Sequence, residues 1–579
     1  MNKYKVLAIA AIQILVCAAL ITNAQQKNNK VHSNKEIPGY ISQAIAKSYS
    51  ASVLMWEIDA ESGNRMSAQF SGVVVSKEGE ILSAAHVVAP GKTYRVMFPD
   101  GKECTAKGLG RISIPPTFML PDAAILKIVD KGPWPFAQMG WSSSLSVNQP
   151  CISIAYPESQ EQRKPNIRFG RITLLKNKHG FVQSSCVMEP GDSGGPLFDL
   201  LGRVIGIHSG IEVPEDVNYE VPIDTYRKYR SALSKPENYT VLPADTDAIV
   251  KDTLIASIRS IPAIENLQGE FNKLNAQVKA NCIKIKSVVD GKEQQISGTL
   301  LSLDGLKLGS TFTGKTVLIS KNSMVGENPT VILSGGETVK ARVIARSSTN
   351  DLAILLPAKT IGKGIKLDLT ERDSITFNDL GKFLISPRPD SVCRTGIVGS
   401  MWLNLPKITS YGYIGATTAL KDDNLVFASI NPGSAAEAGG LKAGDQLLTV
   451  DGHRVEDQLD FIKALQKYRA GDTTIITISR ASKNYTKPII LKYPPQKTFN
   501  HPAELFLGGK SIRRDGFEDV FIHDTKMQPY ECGGPLFDAE GRFMGINIAR
   551  LSRTSTVAIP IRTIKLFVTT GLKNEQKYM

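Results

Sequence analysis

Three residues in the first third of the chain have the types and the order that nucleophilic catalysis needs. Serine is a weak nucleophile until a base takes its proton, and that base needs a third group that fixes its tautomer and stabilises its charged form. His86 follows an apolar run in SAAHVV, Asp122 stands in PDAAILKI, and Ser193 stands in GDSGGP. Ser193 is the candidate nucleophile, His86 the candidate base and Asp122 the candidate acid that orients the base.

The glycines around Ser193 fit the same chemistry. Gly191 can adopt a positive φ, which would aim its N–H at the point where the N–H of Ser193 also points, so the two would form an oxyanion hole. Gly194 and Gly195 would let backbone and substrate pass close to the nucleophile. The alternative is a structural glycine-rich turn with an incidental serine; the matching histidine and aspartate favour catalysis.

These segments resemble a known protease family. SGVVVSKEGEILSAAHVV (71–88), PDAAILKI (121–128) and GDSGGPLFDLLGRVIGI (191–207) are similar to the chymotrypsin-like serine proteases, and within them to the HtrA/Deg type. The resemblance covers about residues 40–230 and implies an active, trypsin-like serine protease domain, which we place at 36–230. Asp192 departs from the asparagine that many of these enzymes carry, but it changes no catalytic atom.

The resemblance also implies where substrate binds. Val187 and the strand around His208, Ser209 and Gly210 would border the primary specificity pocket, and Val187 would favour an apolar substrate side chain. The alternative for His208 is a core or rim histidine that is bonded to backbone.

Several segments recur later in the chain in the same order. PDAAILKI (121–128) matches NDLAILLP (350–357), and GRVIGIHSG (202–210) matches GRFMGINIA (541–549). Repeated short β-rich runs separated by Gly, Pro and Asp predict a mainly β fold of antiparallel barrels or sandwiches, and two groups of strands in each copy indicate two small barrels per domain. The resemblance implies that both copies are double β-barrels of the chymotrypsin type. The second, degenerate copy would comprise residues 276–400 and 500–570. The apolar spacing in 231–275 predicts a helical linker between the copies.

The second copy lacks chemistry that the first retains. Ser323, Asp351 and Cys532 align with His86, Asp122 and Ser193, and Tyr530 replaces Gly191. A thiol could act as nucleophile but would still need a base, which Ser323 cannot supply. A non-catalytic domain is expected, and the alternative is a new pair between Cys532 and His523.

Residues 406–495 interrupt the second copy and resemble a PDZ domain of the bacterial HtrA type. The similarity lies in YGYIGATTAL (411–420) and SAAEAGGLKAGDQLLTVDGHRV (434–455). It implies an α+β fold whose loop Tyr413, Ile414, Gly415 and Ala416 binds a C-terminal carboxylate while the peptide adds as a strand. The alternatives are a PDZ fold used only as a spacer, and flanking segments that have diverged beyond a single domain.

The ends and the composition bear on location and partners. Residues 1–24 combine lysines, an apolar run and a small-residue site, which predicts a cleaved secretory signal; the alternative is an uncleaved anchor. The net charge of +14 favours anionic envelope surfaces or reflects an evenly solvated surface. The remaining cysteines lack CxxC spacing, so no zinc site is expected, and no cofactor, metal or nucleic acid is implied.

Together these features predict a periplasmic or secreted serine endopeptidase for misfolded or unfolded proteins. Its expected partners are unfolded or C-terminal peptides; homo-oligomerisation and peripheral envelope association stay open. The alternative is a peptide-binding, chaperone-like envelope protein with a latent protease site. An intact set of His86, Asp122 and Ser193 favours the enzyme.

Overall fold

The computed structural model describes residues 36–115, 121–160, 163–261, 267–304, 306, 314–367, 375–389, 391–495 and 500–576. The predicted signal at 1–24 lies outside these residues. The chain forms two compact units: unit 1 comprises Met1–Tyr156, Arg163–Ile211 and Asp216–Glu270, and unit 2 comprises Pro157–Gln162, Glu212–Glu215 and Phe271–Met579. None of the described helices is both long enough and apolar enough to cross a membrane.

Unit 1 contains two six-stranded β-barrels. The strands are β1 (Ser52–Ile58), β2 (Phe70–Val74), β3 (Glu80–Ser83), β4 (Thr93–Met97), β5 (Glu103–Ile112), β6 (Ala123–Ile128), β7 (Pro150–Ala155), β8 (Asn166–Leu174), β9 (Val182–Ser184), β10 (Pro196–Asp199), β11 (Val204–Ile211), β12 (Asn218–Pro222) and β13 (Asn238–Tyr239). The first sheet has the order β13-β5-β4-β1-β2-β3-β6 and closes through β5 and β6, and the second barrel has the order β10-β11-β12-β9-β8-β7. Burial alternates along β5, so every second side chain of this strand faces the barrel core.

The helices within the described residues are short, most of them of one to three turns. They are α1 (Ile37–Ser48), α2 (Ile223–Lys228), α3 (Arg230–Leu233), α4 (Ile255–Arg259), α5 (Leu267–Val278), α6 (Ala435–Ala438), α7 (Gln458–Gln466) and α8 (Ile561–Gln576). The segment 231–275, predicted as a helical linker, holds α4 and most of α5. It also holds β13, which pairs with β5 in parallel, so this part of the segment extends the first sheet.

Unit 2 contains two further sheets of the same kind and a third of another kind. Its strands are β14 (Cys282–Val289), β15 (Lys292–Ser302), β16 (Thr316–Lys321), β17 (Thr330–Ile332), β18 (Thr338–Ser347), β19 (Leu352–Pro357), β20 (Ile365–Lys366), β21 (Phe383–Ser386), β22 (Arg394–Ile397), β23 (Ala416–Lys421), β24 (Asn424–Ile430), β25 (Gln446–Val450), β26 (His453–Arg454), β27 (Thr473–Arg480), β28 (Lys483–Ile490), β29 (Phe521–His523), β30 (Pro535–Asp538), β31 (Phe543–Arg550) and β32 (Thr556–Pro560). The first sheet runs β14-β17-β18-β19-β16-β15-β20 and closes through β14 and β15. The second runs β22-β21-β30-β31-β32-β29. The prediction of a mainly β fold is confirmed.

The third sheet interrupts the second one in sequence. Its order is β23-β24-β25-β27-β28, with β26 on β25, and it packs with α6 and α7 around Phe427 and Phe461. It lies between β22 and β29, which belong to one sheet. The Asp515 carboxylate accepts the N–H groups of Thr409 and Ser410, at 2.6 and 3.0 Å, so it ties the entry of the insertion to its exit.

Candidate active site

His86 and Asp122 are joined by two hydrogen bonds. His86 lies in a one-turn 3-10 helix, Ala85–Val87, just after β3, and Asp122 immediately precedes β6. The backbone N–H of His86 donates to Asp122 Oδ1 at 2.9 Å, and its ring Nδ1 lies 2.7 Å from Oδ2. With Nδ1–H directed at the carboxylate, the lone pair of the neutral ring is on Nε2, the atom that a general base must present.

The environment shifts both groups toward their charged forms. Loss of water around Asp122 raises the pKa of its carboxyl, but the hydrogen bond and the charge of His86 outweigh this, and the net pKa is lowered. Desolvation lowers the pKa of His86, but the hydrogen bond and the charge of Asp122 outweigh this, and the net pKa is raised. The aspartate therefore stays ionised and stabilises an imidazolium.

Ser193 lies in the loop before β10 and makes no side-chain hydrogen bond within the described part of the chain. The structure thus joins His86 to Asp122 but does not join Ser193 to His86. Bonds between nucleophile and base are often long in substrate-free enzymes and tighten when substrate binds. The carbonyl of Ser193 is fixed, since it accepts the N–H of Ser71 in β2 at 2.9 Å.

The backbone beside Ser193 offers two free donors. Gly191 has a φ of 95°, and neither its N–H nor that of Ser193 donates to any described group. Ser71 Oγ donates to the carbonyl of Gly191 at 2.8 Å and holds that peptide in place. This is the donor pair that an oxyanion requires.

The glycines after Ser193 are fixed against β11. Gly194 N–H donates to the carbonyl of His208, and His208 N–H donates to the carbonyl of Gly195, both at 2.8 Å. A Cβ on Gly194 would lie 2.0 Å from Ser83 Oγ, and its φ is 82°. Only glycine fits at this position.

The predicted specificity-pocket residues have different roles. Val187 is buried, and its carbonyl accepts Arg168 Nη1 at 2.9 Å. Gly210 lies at an irregularity in the pairing of β11 with β12 and is partly exposed. Val187 is thus joined through Arg168 to the nucleophile loop, and the role of both positions in a specificity pocket stays a prediction.

His208 is placed differently from the prediction. Its side chain is fully buried, with Nε2 2.6 Å from Ser153 Oγ and Nδ1 2.6 Å from Glu220 Oε2. Glu220 also accepts from Ser184 Oγ. Because both ring nitrogens are used inside the barrel, the His208 side chain belongs to the core, as the alternative for this residue held, although its partners are side chains and not backbone.

The side chain of Ser209 has a role that was not predicted. Its hydroxyl donates to Asp122 Oδ2 at 2.7 Å, so it supports the acid of the site. The signal for this was strand alternation: if His208 faces the barrel core, Ser209 must face the other way.

The aligned aspartate of the second copy collects donors in the same way. Ser323 N–H donates to Asp351 Oδ1 at 2.6 Å and Ser323 Oγ donates to Oδ2 at 2.9 Å, the two places that His86 fills in the first copy. Lys321, which the sequence analysis missed, donates from Nζ to the same Oδ2 at 2.6 Å. It also donates to the carbonyl of Ile548, the residue aligned with Ser209.

Cys532 is fully buried under residues 511–513. Burial raises the pKa of its thiol, which the Lys321 charge opposes. Ser511 N–H donates to the carbonyl of Arg550 at 2.9 Å, and Ser511 Oγ lies 3.9 Å from Cys532 Sγ. The carbonyl of Arg513 accepts Lys321 Nζ at 2.9 Å. Residues 511–513 thus lie against the end of β31. The counterpart of this strand end in the first copy is Ser209 to Ile211.

Two further sequence features of the second copy have structural counterparts. His523 is fully buried, its Nδ1 bonds Thr525 Oγ1 at 2.8 Å, and burial lowers its pKa to about 3. It makes no hydrogen bond to Cys532, so the alternative Cys–His pair does not form. Tyr530 lies in the 3-10 turn Pro529–Glu531 and has no positive φ.

The predicted carboxylate loop lies at the head of an apolar groove. Gly415 has a φ of 72°, and the N–H groups of Ile414 and Gly415 donate to no described group. The Tyr413 N–H is already used, since it donates to the carbonyl of Lys492 at 2.9 Å, and so it cannot bind a carboxylate. The groove between β23 and α7 encloses about 860 Å³ and is lined by residues that include Ile414, Ala416, Phe461, Ile462 and Leu465.

Comparison with known proteins agrees with both parts. Residues 70–207 match the trypsin-like peptidase domain family and residues 412–491 match the PDZ domain family. Two proteins named probable periplasmic serine endoprotease DegP-like are similar over most of the chain. The one from Hahella chejuensis is 25% identical over 71% of this chain and 77% of its own, and the one from Bartonella henselae is 24% identical over 69% and 70%.

Among solved structures, the serine endoprotease from Yersinia pestis aligns with 79% of this chain and 98% of its own, at 14% identity and a TM-score of 0.29. The chain therefore joins a match to the peptidase family and a match to the PDZ family. The protein is a serine endopeptidase that carries a trypsin-like peptidase domain and a PDZ domain, and it is similar to the DegP-like proteases.

Proposed function

We propose that this endopeptidase degrades unfolded proteins in the periplasm, with Ser193 as nucleophile. The observation that carries the proposal is the His86–Asp122 pair beside two unused backbone donors at Gly191 and Ser193. The periplasmic location is supported by the names of the DegP-like relatives.

The residues would act in sequence on a peptide carbonyl. Ser193 Oγ attacks the carbonyl carbon while His86 Nε2 takes its proton, and Asp122 stabilises the resulting imidazolium. The carbonyl oxygen gains negative charge and accepts the N–H groups of Gly191 and Ser193. His86 then protonates the leaving amine, and water hydrolyses the acyl-enzyme by the reverse path.

The second protease-like domain is proposed to be non-catalytic. Ser323 stands at the position of the base, where the first copy has the imidazole of His86. Ser323 and Lys321 donate to the carboxylate of Asp351. Cys532 has no contact with solvent, and its raised pKa disfavours the thiolate. The domain would instead carry the PDZ insertion, whose ends are tied together by Asp515.

The PDZ domain is proposed to capture peptide C-termini. The free N–H groups of Ile414 and Gly415 can hold a carboxylate, and the apolar groove below them can hold the last side chain. Binding of such a peptide would deliver unfolded chains to the first domain.

A second candidate function is peptide binding with a latent protease site. The absent hydrogen bond between Ser193 and His86 favours it. The two readings differ in whether purified protein hydrolyses an unfolded substrate.

Replacing each candidate nucleophile in turn separates the two copies. Ser193→Ala is expected to lower the rate of casein hydrolysis by at least about 10³-fold, because the attacking oxygen is lost. Cys532→Ser, at the aligned position, is expected to retain the wild-type rate within about 2-fold when both variants show native circular dichroism. Loss of activity in C532S, or none in wild type even with C-terminal peptides added, would contradict the proposal.

The pH dependence of kcat/KM should report the ionisation of His86. Only the neutral ring can accept the Ser193 proton, so activity should fall as pH drops through its pKa, which lies above the ordinary value of about 6.5. Ser209→Ala leaves the Asp122 charge less neutralised, so this acid limb should move to higher pH. Ser146→Ala, which removes an exposed hydroxyl of unit 1, is the control; an unmoved limb in S209A would show that the hydroxyl does not act on the aspartate.

Peptide binding to the PDZ groove can be measured on the Ser193→Ala chain by fluorescence anisotropy. A labelled peptide with an apolar last residue and a free carboxylate is expected to bind about 10-fold or more tightly than its C-terminal amide, since only the acid pairs with the loop N–H groups. Ile462→Arg, on the groove wall, should weaken binding. Ile490→Arg, on exposed β28 away from the groove, should not. Equal affinity of acid and amide would favour the spacer alternative.

A further inference from the structure

A buried ion pair stands directly beside the nucleophile. Arg168 in β8 and Asp192, the residue before Ser193, each have side chains that are 1% exposed. Nη1 lies 2.5 Å from Oδ2 and Nη2 lies 2.6 Å from Oδ1, so the pair is bidentate. Two charges lose their hydration when they are buried, and only such close geometry with further hydrogen bonds offsets that cost.

The further hydrogen bonds all fall within the nucleophile loop. Arg168 Nη1 also donates to the carbonyl of Val187, and Asp192 Oδ2 also accepts the N–H of Glu189 at 2.9 Å. The Asp192 carbonyl accepts the N–H of Gly195 at 2.8 Å. The loop is therefore folded around one guanidinium, and the two residues that flank Asp192 are the ones with free N–H groups.

The second copy contains the corresponding pair. Arg394 stands opposite Ser386 in the pairing of β21 with β22, as Arg168 stands opposite Ser153 in the pairing of β7 with β8. Arg394 Nε lies 3.2 Å from the Oε2 of Glu531, the residue before Cys532.

Glu531 also repeats the local bond of Asp192. Its Oε2 accepts the N–H of Gln528, three residues earlier, at 2.8 Å, and its Oε1 lies 2.7 Å from Arg388 Nε. The acid–arginine anchor is thus present where Tyr530 has replaced the glycine. The pair alone therefore does not free the donors, because the N–H of Cys532, unlike that of Ser193, donates to the carbonyl of Pro529 at 3.3 Å.

We propose that Arg168 and Asp192 are positioning residues that hold the N–H groups of Gly191 and Ser193 in place for the transition state. The proposal rests on the Ser193-dependent peptidase activity. Because an oxyanion forms only after attack, loss of the anchor should lower kcat and leave KM little changed. If the pair served stability alone, its loss would lower the melting temperature without a selective fall in kcat.

Unit 1 offers a matched control pair. Asp199 and Arg203 are also buried, 0% and 4% exposed, with Arg203 Nε 2.8 Å from Asp199 Oδ2, but they lie in the β10–β11 hairpin and bond no residue of the nucleophile loop. Asp192→Asn and Asp199→Asn each neutralise one buried carboxylate. Both should lower the melting temperature.

The test is steady-state hydrolysis of a peptide thiobenzyl ester with valine at the acyl position. D192N is expected to lower kcat about 10- to 100-fold with KM within about 3-fold, whereas D199N keeps kcat within about 2-fold. Adding Arg168→Met to D192N removes the unpaired buried cation and should restore melting temperature but not kcat.

Equal kcat in D192N and D199N, or a rise in KM in place of the fall in kcat, would overturn the proposal. If D192N does not fold, the double variant Arg168→Met with Asp192→Asn, which leaves no unpaired buried charge, takes its place with the same expected split. A wild type without Ser193-dependent hydrolysis would instead contradict the proposed function, so the two failures are distinguishable.

Discussion

Both protease-like copies depend on one interaction. In each, a buried aspartate accepts hydrogen bonds from residues at or just beyond the ends of neighbouring strands. Asp122 receives the N–H and the ring of His86 together with the Ser209 hydroxyl. Asp351 receives the N–H and hydroxyl of Ser323 together with the Lys321 amine. The acceptor is the same in both, and the chemistry depends on which donors reach it.

The frame around this acceptor is retained when the donors change. In the first copy His208 exchanges backbone bonds with Gly194 and Gly195, and in the second Asn547 does the same with Gly533 and Gly534, at 2.6 and 3.0 Å. The serine that faces His208 also persists, since Asn547 Nδ2 donates to Ser386 Oγ. Conformation of the nucleophile loop is thus set by backbone and barrel contacts that do not require a catalytic imidazole, so these contacts persist where Ser323 stands in place of His86.

Sequence reasoning could reach residues whose type and order define a chemistry. His86, Asp122 and Ser193 stand in local motifs, and the repeat exposes Ser323 and Cys532 by alignment. It could not reach Lys321, because a lysine at the end of a strand is ordinary until the fold brings Asp351 to its amine. Nor could it reach Arg168, because the partner of a buried arginine depends on barrel register. His208 and Ser209 were adjacent in one predicted pocket, but the alternation of β11 sends them to opposite faces.

We propose that the first copy holds the reactive nucleophile and that the second does not. Labelling of the whole wild-type chain with a fluorophosphonate, followed by peptide mass spectrometry to locate the adduct, tests this directly. We expect an adduct on Ser193 alone, abolished by His86→Ala because the base is lost. An adduct within the second copy, or labelling of Ser193 that survives H86A at an unchanged rate, would contradict it.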